Sequence, residues 1–141
     1  MKKSLAVLLF LTTFLLFANT SLQAAKIPAA VESAFKNQYP TITNVKWSKE
    51  KKNFEAEFQL NGVKTNVMYD AAGNLVQTEL DMPITSIPEK ISTYIKTNYP
   101  NKSIKEFSKI TDAGGNISYE VEFSRHELLF QADGTFLREL K

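Results

Sequence analysis

The sequence predicts an α+β fold made of two tandem repeats, each a helix followed by a four-stranded antiparallel sheet. Two observations support this prediction. A strand–turn–strand pattern at 69–76 recurs at 130–137, sixty-one residues later. A helix-like segment that opens with Ile-Pro and closes with Tyr-Pro precedes each copy, at 27–40 and at 87–100. Because one helix cannot cover a four-stranded sheet, the two sheets should join into one continuous sheet with both helices on one face.

The first 24 residues have the pattern of a secretory signal peptide. Lys2 and Lys3 precede an apolar run from Leu5 to Phe17, which is shorter than the roughly 20 residues of a membrane-spanning helix. We therefore expect cleavage near Ala24, a periplasmic or secreted mature protein, and no membrane association after cleavage. A lipoprotein anchor is excluded because the sequence contains no cysteine.

Cleavage would leave a mature chain of balanced charge. The full sequence has 17 basic and 15 acidic residues, and loss of the two signal-peptide lysines leaves 15 of each sign. No net positive field then favours nucleic acid or an anionic membrane as a partner. The mature chain is expected to divide into a first repeat at 25–82 and a second at 83–141. Without cysteine, neither repeat can be stabilised by a disulfide.

Each repeat opens with a predicted amphipathic helix. Pro28 and Pro88 suit the first helical position, where the missing N–H costs nothing. Apolar residues then recur at steps of three and four, and a Tyr-Pro pair ends each helix. In the second repeat, Ser86 and Glu89 predict a capping box.

Four strands are predicted after each helix. The first carries one aromatic residue, Trp47 or Phe107, which is expected to fill the layer between helix and sheet; an aromatic platform for a ligand is the alternative. Strict alternation at 54–60 and 119–123 then predicts strands with one buried face and one wet face. An Asn-Gly pair after the first of these strands predicts a hairpin.

The alternation assigns side chains to the two faces of the sheet. The predicted core face contains Phe54, Ala56, Phe58, Val67, Tyr69, Tyr119, Val121, Phe123, Leu128 and Phe130. The predicted open face contains Glu55, Glu57, Gln59, Lys64, Asn66, Met68, Glu120, Glu122, Glu127 and Leu129. That open face is therefore expected to be polar with a few apolar side chains.

The duplicated pattern resembles the PepSY-like, β-lactamase-inhibitor-like family of proteins exported by Gram-negative bacteria. The resemblance covers 27–140 and rests on the Ile-Pro helix, the Tyr-Pro stop, the aromatic strand, the Phe-Glu-x-Glu-Phe strand and the glycine-containing turn. It implies a fold similar to β-lactamase inhibitor protein, with a concave sheet, and a non-catalytic role in the periplasm or outside the cell. Related domains are thought to restrain peptidases. This chain lacks the cysteines for the inhibitor's disulfides, and no stretch matches its enzyme-contacting loops.

The residue inventory argues against most catalytic and metal sites. His126 is the only histidine and cysteine is absent, which disfavours a catalytic triad and a zinc site. We expect His126 to be an exposed residue of a tight hairpin. The segments at 70–74 and 133–134 faintly resemble calcium loops but have too few oxygen ligands, and turns are expected there. No catalytic residue, cofactor-binding residue or metal ligand is therefore predicted, and no cofactor is expected.

Two pairs of carboxylates remain as candidates for chemistry. Glu55 with Glu57, and Glu120 with Glu122, place two acids on one strand face about 7 Å apart by strand rise. A solvated sheet face is the first interpretation, with Lys64 neutralising the first pair. The alternatives are a patch for a cation or a basic partner, and acid–base catalysis at a separation that glycosidases use.

We interpret the protein as an exported, non-catalytic binding module, and not an enzyme, whose open sheet face meets a protein or peptide. It is expected to be a monomer or a weak dimer. The alternatives are a small periplasmic carbohydrate-binding protein or enzyme that uses the acidic pairs, and a structural envelope protein. The lysine-rich hairpin tip and the polar face supply the predicted partner-binding residues, which are Lys49, Lys51, Lys52, Glu55, Glu57, Lys64, Met68, Glu120 and Glu122.

Overall fold

The computed structural model describes residues 26–140, so the predicted signal peptide lies outside the described residues. The elements alternate as one helix and four strands, twice in succession. A 3₁₀ turn, Ile84–Ser86, connects the two halves. The elements are α1 (Ala29–Gln38), β1 (Lys46–Glu50), β2 (Asn53–Leu60), β3 (Val63–Tyr69), β4 (Leu75–Asp81), α2 (Glu89–Asn98), β5 (Glu106–Asp112), β6 (Ile117–Glu122), β7 (Glu127–Gln131) and β8 (Phe136–Leu140).

All eight strands form one sheet in the order β1 to β8, and every neighbouring pair is antiparallel. The two halves meet where β4 pairs with β5, through residues 77–81 and 108–112. The predicted fold class, two tandem repeats that share one continuous sheet, is confirmed. Within residues 26–140, no helix is long and apolar enough to cross a membrane.

The helices begin and end close to the predicted positions, but their N-termini differ in detail. Pro28 and Pro88 are the cap residues, one position before the first helical residue, and neither helix has a side-chain cap hydrogen bond. The predicted capping box is therefore wrong. Ser86 instead belongs to the 3₁₀ turn, where its hydroxyl donates to the carbonyl oxygen of Pro83 at 2.7 Å.

Each helix packs on its own half of the sheet, which creates two separate cores. Tyr119 is only partly buried, and the other predicted core residues are buried. Trp47 packs at the edge of the first core, edge-to-face on Phe35, and Phe107 is fully buried in the second. The prediction that these two aromatics fill the layer between helix and sheet is confirmed. The first core comprises Val31, Phe35, Phe54, Ala56, Phe58, Val67 and Tyr69. The second comprises Ile91, Ile95, Phe107, Val121, Phe123, Leu128 and Phe130.

The duplicated turn holds the sheet against the start of each helix. Gly73 and Gly134 have φ angles of +84° and +80°, which favour glycine. A Cβ added to Gly73 would lie 2.6 Å from the carbonyl oxygen of Ala30, and one added to Gly134 would lie 3.1 Å from the Cβ of Lys90. Glycine at these positions therefore permits both the turn and the close approach of the helix.

The sheet bends toward the face that the helices leave free. Ser108, Ile110 and Leu129 lie on that face by strand register, yet they are 3, 8 and 9% exposed. No helix covers these three residues, so side chains of the neighbouring strands must shield them from solvent. The bend is large enough for Glu50 on β1 to raise the pKa of Glu127 on β7. We call this helix-free side of the sheet the concave face.

Candidate functional site: the concave sheet face

Strand register places most of the chain's carboxylates on the concave face. Period-two alternation sends every second side chain of each strand to this side, and the cross-strand pairs keep those side chains in register across the sheet. By register, ten of the 15 acidic residues lie here against three basic residues, and one of the ten, Asp112, uses its carboxylate within its own turn, which leaves nine acids. The acids are Glu50, Glu55, Glu57, Glu79, Asp81, Glu106, Glu120, Glu122 and Glu127; the bases are Lys46, Lys64 and Arg138.

The structure brings together six of the nine predicted partner-binding residues. Those on the concave face are Glu55, Glu57, Lys64, Met68, Glu120 and Glu122. Lys49 lies on the helix side, with its Nζ 5.9 Å from the ring centroid of Phe54. Lys51 and Lys52 form the exposed turn between β1 and β2, at the end of the sheet. The lysine tip and the acidic pairs are thus separate features.

Sequence reasoning missed three acids at the junction of the two halves. Glu79 and Asp81 lie on β4, and Glu106 lies on the adjacent β5. In the segment at 77–81, Thr78 and Leu80 alternate with the more polar Gln77, Glu79 and Asp81, so a weaker form of the period-two signal seen in β2 could have found the first two. Glu106 has a weaker signal because its strand also carries Ser108 and Ile110 on the concave side.

Glu120 lies near the centre of the carboxylate cluster. Burial, followed by the negative charges of Glu79, Glu127 and other neighbours, raises the pKa of Glu120 to about 8. Burial is also the largest cause of the raised pKa of Glu55, Glu79 and Glu127. Burial and like charges both disfavour an ionised carboxylate. An added positive charge on the concave face would therefore stabilise the ionised form of these acids.

One positive charge is already bound among these acids. The Nζ of Lys64 donates to both carboxylate oxygens of Glu106, at 2.8 and 3.0 Å, and this hydrogen bonding is the main cause of the raised pKa of Lys64. Lys64 was expected to neutralise the pair Glu55 and Glu57; its direct partner is instead on β5. At the sheet edge, Lys46 lies 3.6 Å from Glu57.

Three acids on adjacent strands form a cross-strand row. Glu106 pairs with Glu122, and Glu122 pairs with Glu127, in the registers of β5, β6 and β7. Side chains directly opposite each other in an antiparallel sheet are about 5 Å apart at Cβ, and like charges there are destabilising. Within residues 26–140, Lys64 is the only basic side chain in a salt bridge with this row. The row is therefore an electrostatic cost to the isolated protein.

His126 is not the exposed hairpin residue that the sequence suggested. Its ring packs on Tyr99 and Phe123, with centroid distances of 5.6 and 5.0 Å. Among the described residues, no hydrogen-bond partner is found for its buried Nε2. With Glu122 and Glu127 it lines a cavity of about 200 Å³. Packing against aromatic rings accounts for its position, and the geometry offers no serine nucleophile bonded to it.

The aspartate turns resemble one another and use their carboxylates internally. Asp70 Oδ1 accepts hydrogen bonds from the backbone N–H groups of Ala72 and Asn74, and Oδ2 accepts one from the Asn74 side chain. Asp112 repeats this arrangement with Gly114 and Asn116. These bonds support the prediction of turns rather than calcium loops. In the part of the chain from 26 to 140, no three acidic or histidine side chains are grouped to hold a metal ion.

Comparisons with known proteins agree with this architecture. A family model described as "Putative beta-lactamase-inhibitor-like, PepSY-like" matches the chain twice, at 17–77 and 52–138. A DUF2874 family protein from Bacteroides uniformis shares 23% identity and a TM-score of 0.68, over 80% of this chain and 88% of that chain. A "putative periplasmic" protein from Bacteroides eggerthii shares 20% identity and a TM-score of 0.69, over 80% and 87%.

A BLIP-like protein from Bacteroides fragilis is similar as well. It shares 24% identity and a TM-score of 0.57, over 80% of this chain and 85% of that chain. At these identities the likeness concerns the fold. Among curated proteins, none matches the chain.

Proposed function

The chain belongs to the PepSY-like, β-lactamase-inhibitor-like family, and we propose that it is an exported, non-catalytic binding module whose concave face docks a protein or peptide. One observation carries this proposal. The helix-free side of an eight-stranded sheet is bent into a concave surface and concentrates nine acids on it. A surface of this kind, built on paired strands, is pre-organised, so little conformational entropy would be lost on binding.

The composition of the face supports a macromolecular partner. Ile110 and Leu129 are buried apolar residues on this face, and each lies opposite an acid in strand register, Glu79 and Glu120 respectively. Apolar centres with polar rims are the usual anatomy of protein interfaces. The BLIP-like neighbour supports the same kind of partner by fold analogy. Restraint of a bound enzyme would be one consequence of docking.

An export route is part of the proposal. A signal peptide at 1–24 would deliver the mature chain, with repeats at 25–82 and 83–141, to the periplasm or beyond. The family match and a neighbour described as periplasmic support that location. The mature chain would act as a monomer or weak dimer and would need no cofactor.

Site-specific photo-crosslinking in the producing cell tests docking. A photoreactive amino acid is introduced at Gln59, an exposed position on the concave face, and at Lys36, an exposed position on α1. We expect one defined adduct from Gln59 and none from Lys36, with the partner identified by mass spectrometry. Equal adducts from both positions, or none from Gln59, would reject the concave face as the docking surface.

One observation favours a second candidate, a carbohydrate-active enzyme or carbohydrate-binding protein. A carboxyl group such as Glu120, with its pKa raised to about 8, has the property of a general acid. Replacing Glu55, Glu57, Glu120 and Glu122 by Gln tests this candidate. A polysaccharide-hydrolysing activity that is present in the native chain and lost in the quadruple variant would establish the enzyme. Retention of partner crosslinking by the variant would exclude these four acids from recognition.

A further inference from the structure

We infer that the occupant of the concave face is a lysine- or arginine-rich segment of a partner protein, whose cationic side chains pair with the row formed by Glu106, Glu122 and Glu127. This inference rests on the proposed docking function and names the chemistry of the partner. The shape of the face, the distribution of charge on it and the contact of the Lys64 ammonium with Glu106 support this occupant.

Charge is segregated on the surface of a mature chain of balanced composition. Nine acids and three bases share the concave face, so the remaining faces carry most of the basic residues. Within the described residues, only Glu57 and Glu106 of these nine acids have a lysine Nζ within 4 Å. The field in the concavity is therefore negative, and a concave, low-dielectric wall strengthens such a field.

The cross-strand row places like charges opposite one another. Glu122 is directly opposite Glu106 on one side and Glu127 on the other, and like charges directly opposed across a sheet are destabilising. A cationic partner would remove this repulsion when it binds. Ser108 and Leu129, 3 and 9% exposed, lie beside the row, so the cations would bind next to buried side chains, where ion pairs are stronger than in water.

The contact between the Lys64 ammonium and Glu106 indicates how a cation can bind on this face. Lys64 places its Nζ on Glu106 in a two-oxygen contact, which shows that a primary ammonium is accommodated against one acid of the row. Acids on adjacent strands are about 4.8 Å apart, and acids two residues apart along a strand are about 7 Å apart. Neighbouring acids of the row are therefore about 4.8 Å apart, whereas Glu120 and Glu122 on β6 are about 7 Å apart, which equals the repeat of alternate side chains in an extended peptide. An extended segment that runs along β6, with a basic residue at every second position, would place one cation at the row and the next at Glu120.

The test uses a labelled ten-residue peptide of alternating lysine and serine, and a matched peptide with glutamate in place of lysine. Fluorescence anisotropy with the mature chain is expected to show binding of the lysine peptide only, with affinity at least tenfold weaker at about 0.3 M salt than at about 0.05 M. Binding of both peptides with equal affinity, or of neither, would overturn the inference.

Matched variants locate the binding site. The triple variant E106Q/E122Q/E127Q removes the row and is expected to weaken peptide binding at least tenfold. The control variant E32Q/E89Q/E139Q removes three carboxylates from the helix side and the same amount of charge, and it should bind within about twofold of the native chain. Circular dichroism and urea unfolding confirm that both variants are folded. Equal loss in both variants would contradict the inference.

Two further outcomes separate this inference from the proposed function. If crosslinking from Gln59 persists while the lysine peptide does not bind, the concave face docks a partner of other chemistry and only the present inference is wrong. If neither is observed, the docking function itself is rejected. Analytical sedimentation tests whether the native chain associates with itself. If it does, and if the association is lost both in E106Q/E122Q/E127Q and in K51E/K52E, the occupant of the concave face is the lysine tip of a second copy and not a different basic partner.

Discussion

Lys64 and Glu106 form an ion pair that joins the two halves of the protein across an intervening strand. Lys64 is on β3 of the first half, Glu106 is on β5 of the second, and β4 lies between them. The shortest N–O distance is 2.8 Å, and about a third of each side chain is exposed. The two cores are separate, so this pair is a direct side-chain link between the halves on the concave face.

Removing this link should weaken the contact between the halves modestly. We expect a double-mutant cycle of K64M and E106Q to give a coupling free energy of about 1 kcal/mol, at the upper end for a partly exposed pair. Urea unfolding of the native chain, both single variants and the double variant measures it. The exposed pair Lys46 and Glu57 is the control and should give less than about 0.5 kcal/mol. A coupling near zero for Lys64 and Glu106 would contradict the prediction.

The raised pKa of Glu120 makes stability fall as pH rises. Its ordinary value is 4.5 and its value in the folded protein is about 8. Between these pH values the unfolded chain has lost the proton and the folded chain keeps it, so the free energy of unfolding decreases with pH. Since one pKa unit corresponds to about 1.4 kcal/mol, the shift from 4.5 to about 8 corresponds to a decrease on the order of 5 kcal/mol.

The variant E120Q isolates this effect. Urea unfolding at about pH 5 should show similar stability for E120Q and the native chain, whereas above about pH 8 E120Q should be the more stable of the two. The variant E32Q, changed at an exposed position on α1, should follow the native pH profile. An unchanged pH profile in E120Q would show that Glu120 ionises at its ordinary pKa in the folded protein.

The loss of stability when a glycine is replaced by alanine should depend on how close the neighbouring atoms lie, as well as on the φ angle of the glycine. Gly62 and Gly73 have nearly the same φ, +82° and +84°. A Cβ on Gly62 would meet no atom within 4 Å, but one on Gly73 would meet the Ala30 carbonyl oxygen at 2.6 Å. We expect G62A to lower the free energy of unfolding by about 1 kcal/mol from backbone strain alone. G73A should lower it by about 3 kcal/mol, because α1 must also move.

Thermal and urea unfolding of the two glycine variants measure the difference. Similar losses in G62A and G73A would mean that α1 shifts without cost. G134A is an independent comparison in the second half, where the nearest atoms belong to the Lys90 and Ile91 side chains and not to backbone. Its loss should fall between the other two, because its nearest contact, the Cβ of Lys90 at 3.1 Å, is tight but longer than the 2.6 Å contact at Gly73.

The repeat, the two helices and the buried and exposed faces of the strictly alternating strands could be predicted from the sequence. Residues 54–60 and 119–123 bury alternate apolar residues, except that Leu60 and Tyr119 are only partly buried, so pattern and packing agree at nearly every position. The turn at Gly73 was also predictable, because its sequence has one good conformation. Where local propensity and tertiary packing support the same structure, sequence reasoning is reliable.

The curvature of the sheet could not be predicted in the same way. It brings Glu50 near Glu127 and buries Leu129 on a face expected to be open. The pairing registers shift at Met68/Tyr69 and at Leu129/Phe130, and such bulges increase bending and twist. Neither shift has a clear sequence signal. The carboxylate cluster depends on this curvature, which is why the sequence supplied two acidic pairs rather than one site.

Binding of a cationic partner should itself depend on the protonation of Glu120. Below its pKa of about 8, Glu120 is mostly neutral and attracts a cation weakly. An arginine–serine peptide is the suitable probe, because arginine stays charged at every pH used. We expect its affinity to rise several-fold from about pH 6.5 to about pH 9 in the native chain, measured by anisotropy at constant salt.

The corresponding proton release provides an independent measure of the same linkage. A bound guanidinium lowers the pKa of Glu120, so at about pH 7.5 calorimetry in buffers of different ionisation enthalpy should detect release of a fraction of a proton on binding. E120Q should bind without pH dependence in this range and release fewer protons, while E32Q should match the native chain. If E120Q kept the full pH dependence, the titrating group would lie elsewhere on the concave face, and Glu79, Glu55 and Glu127, whose pKa values are also raised, would be the next residues to replace.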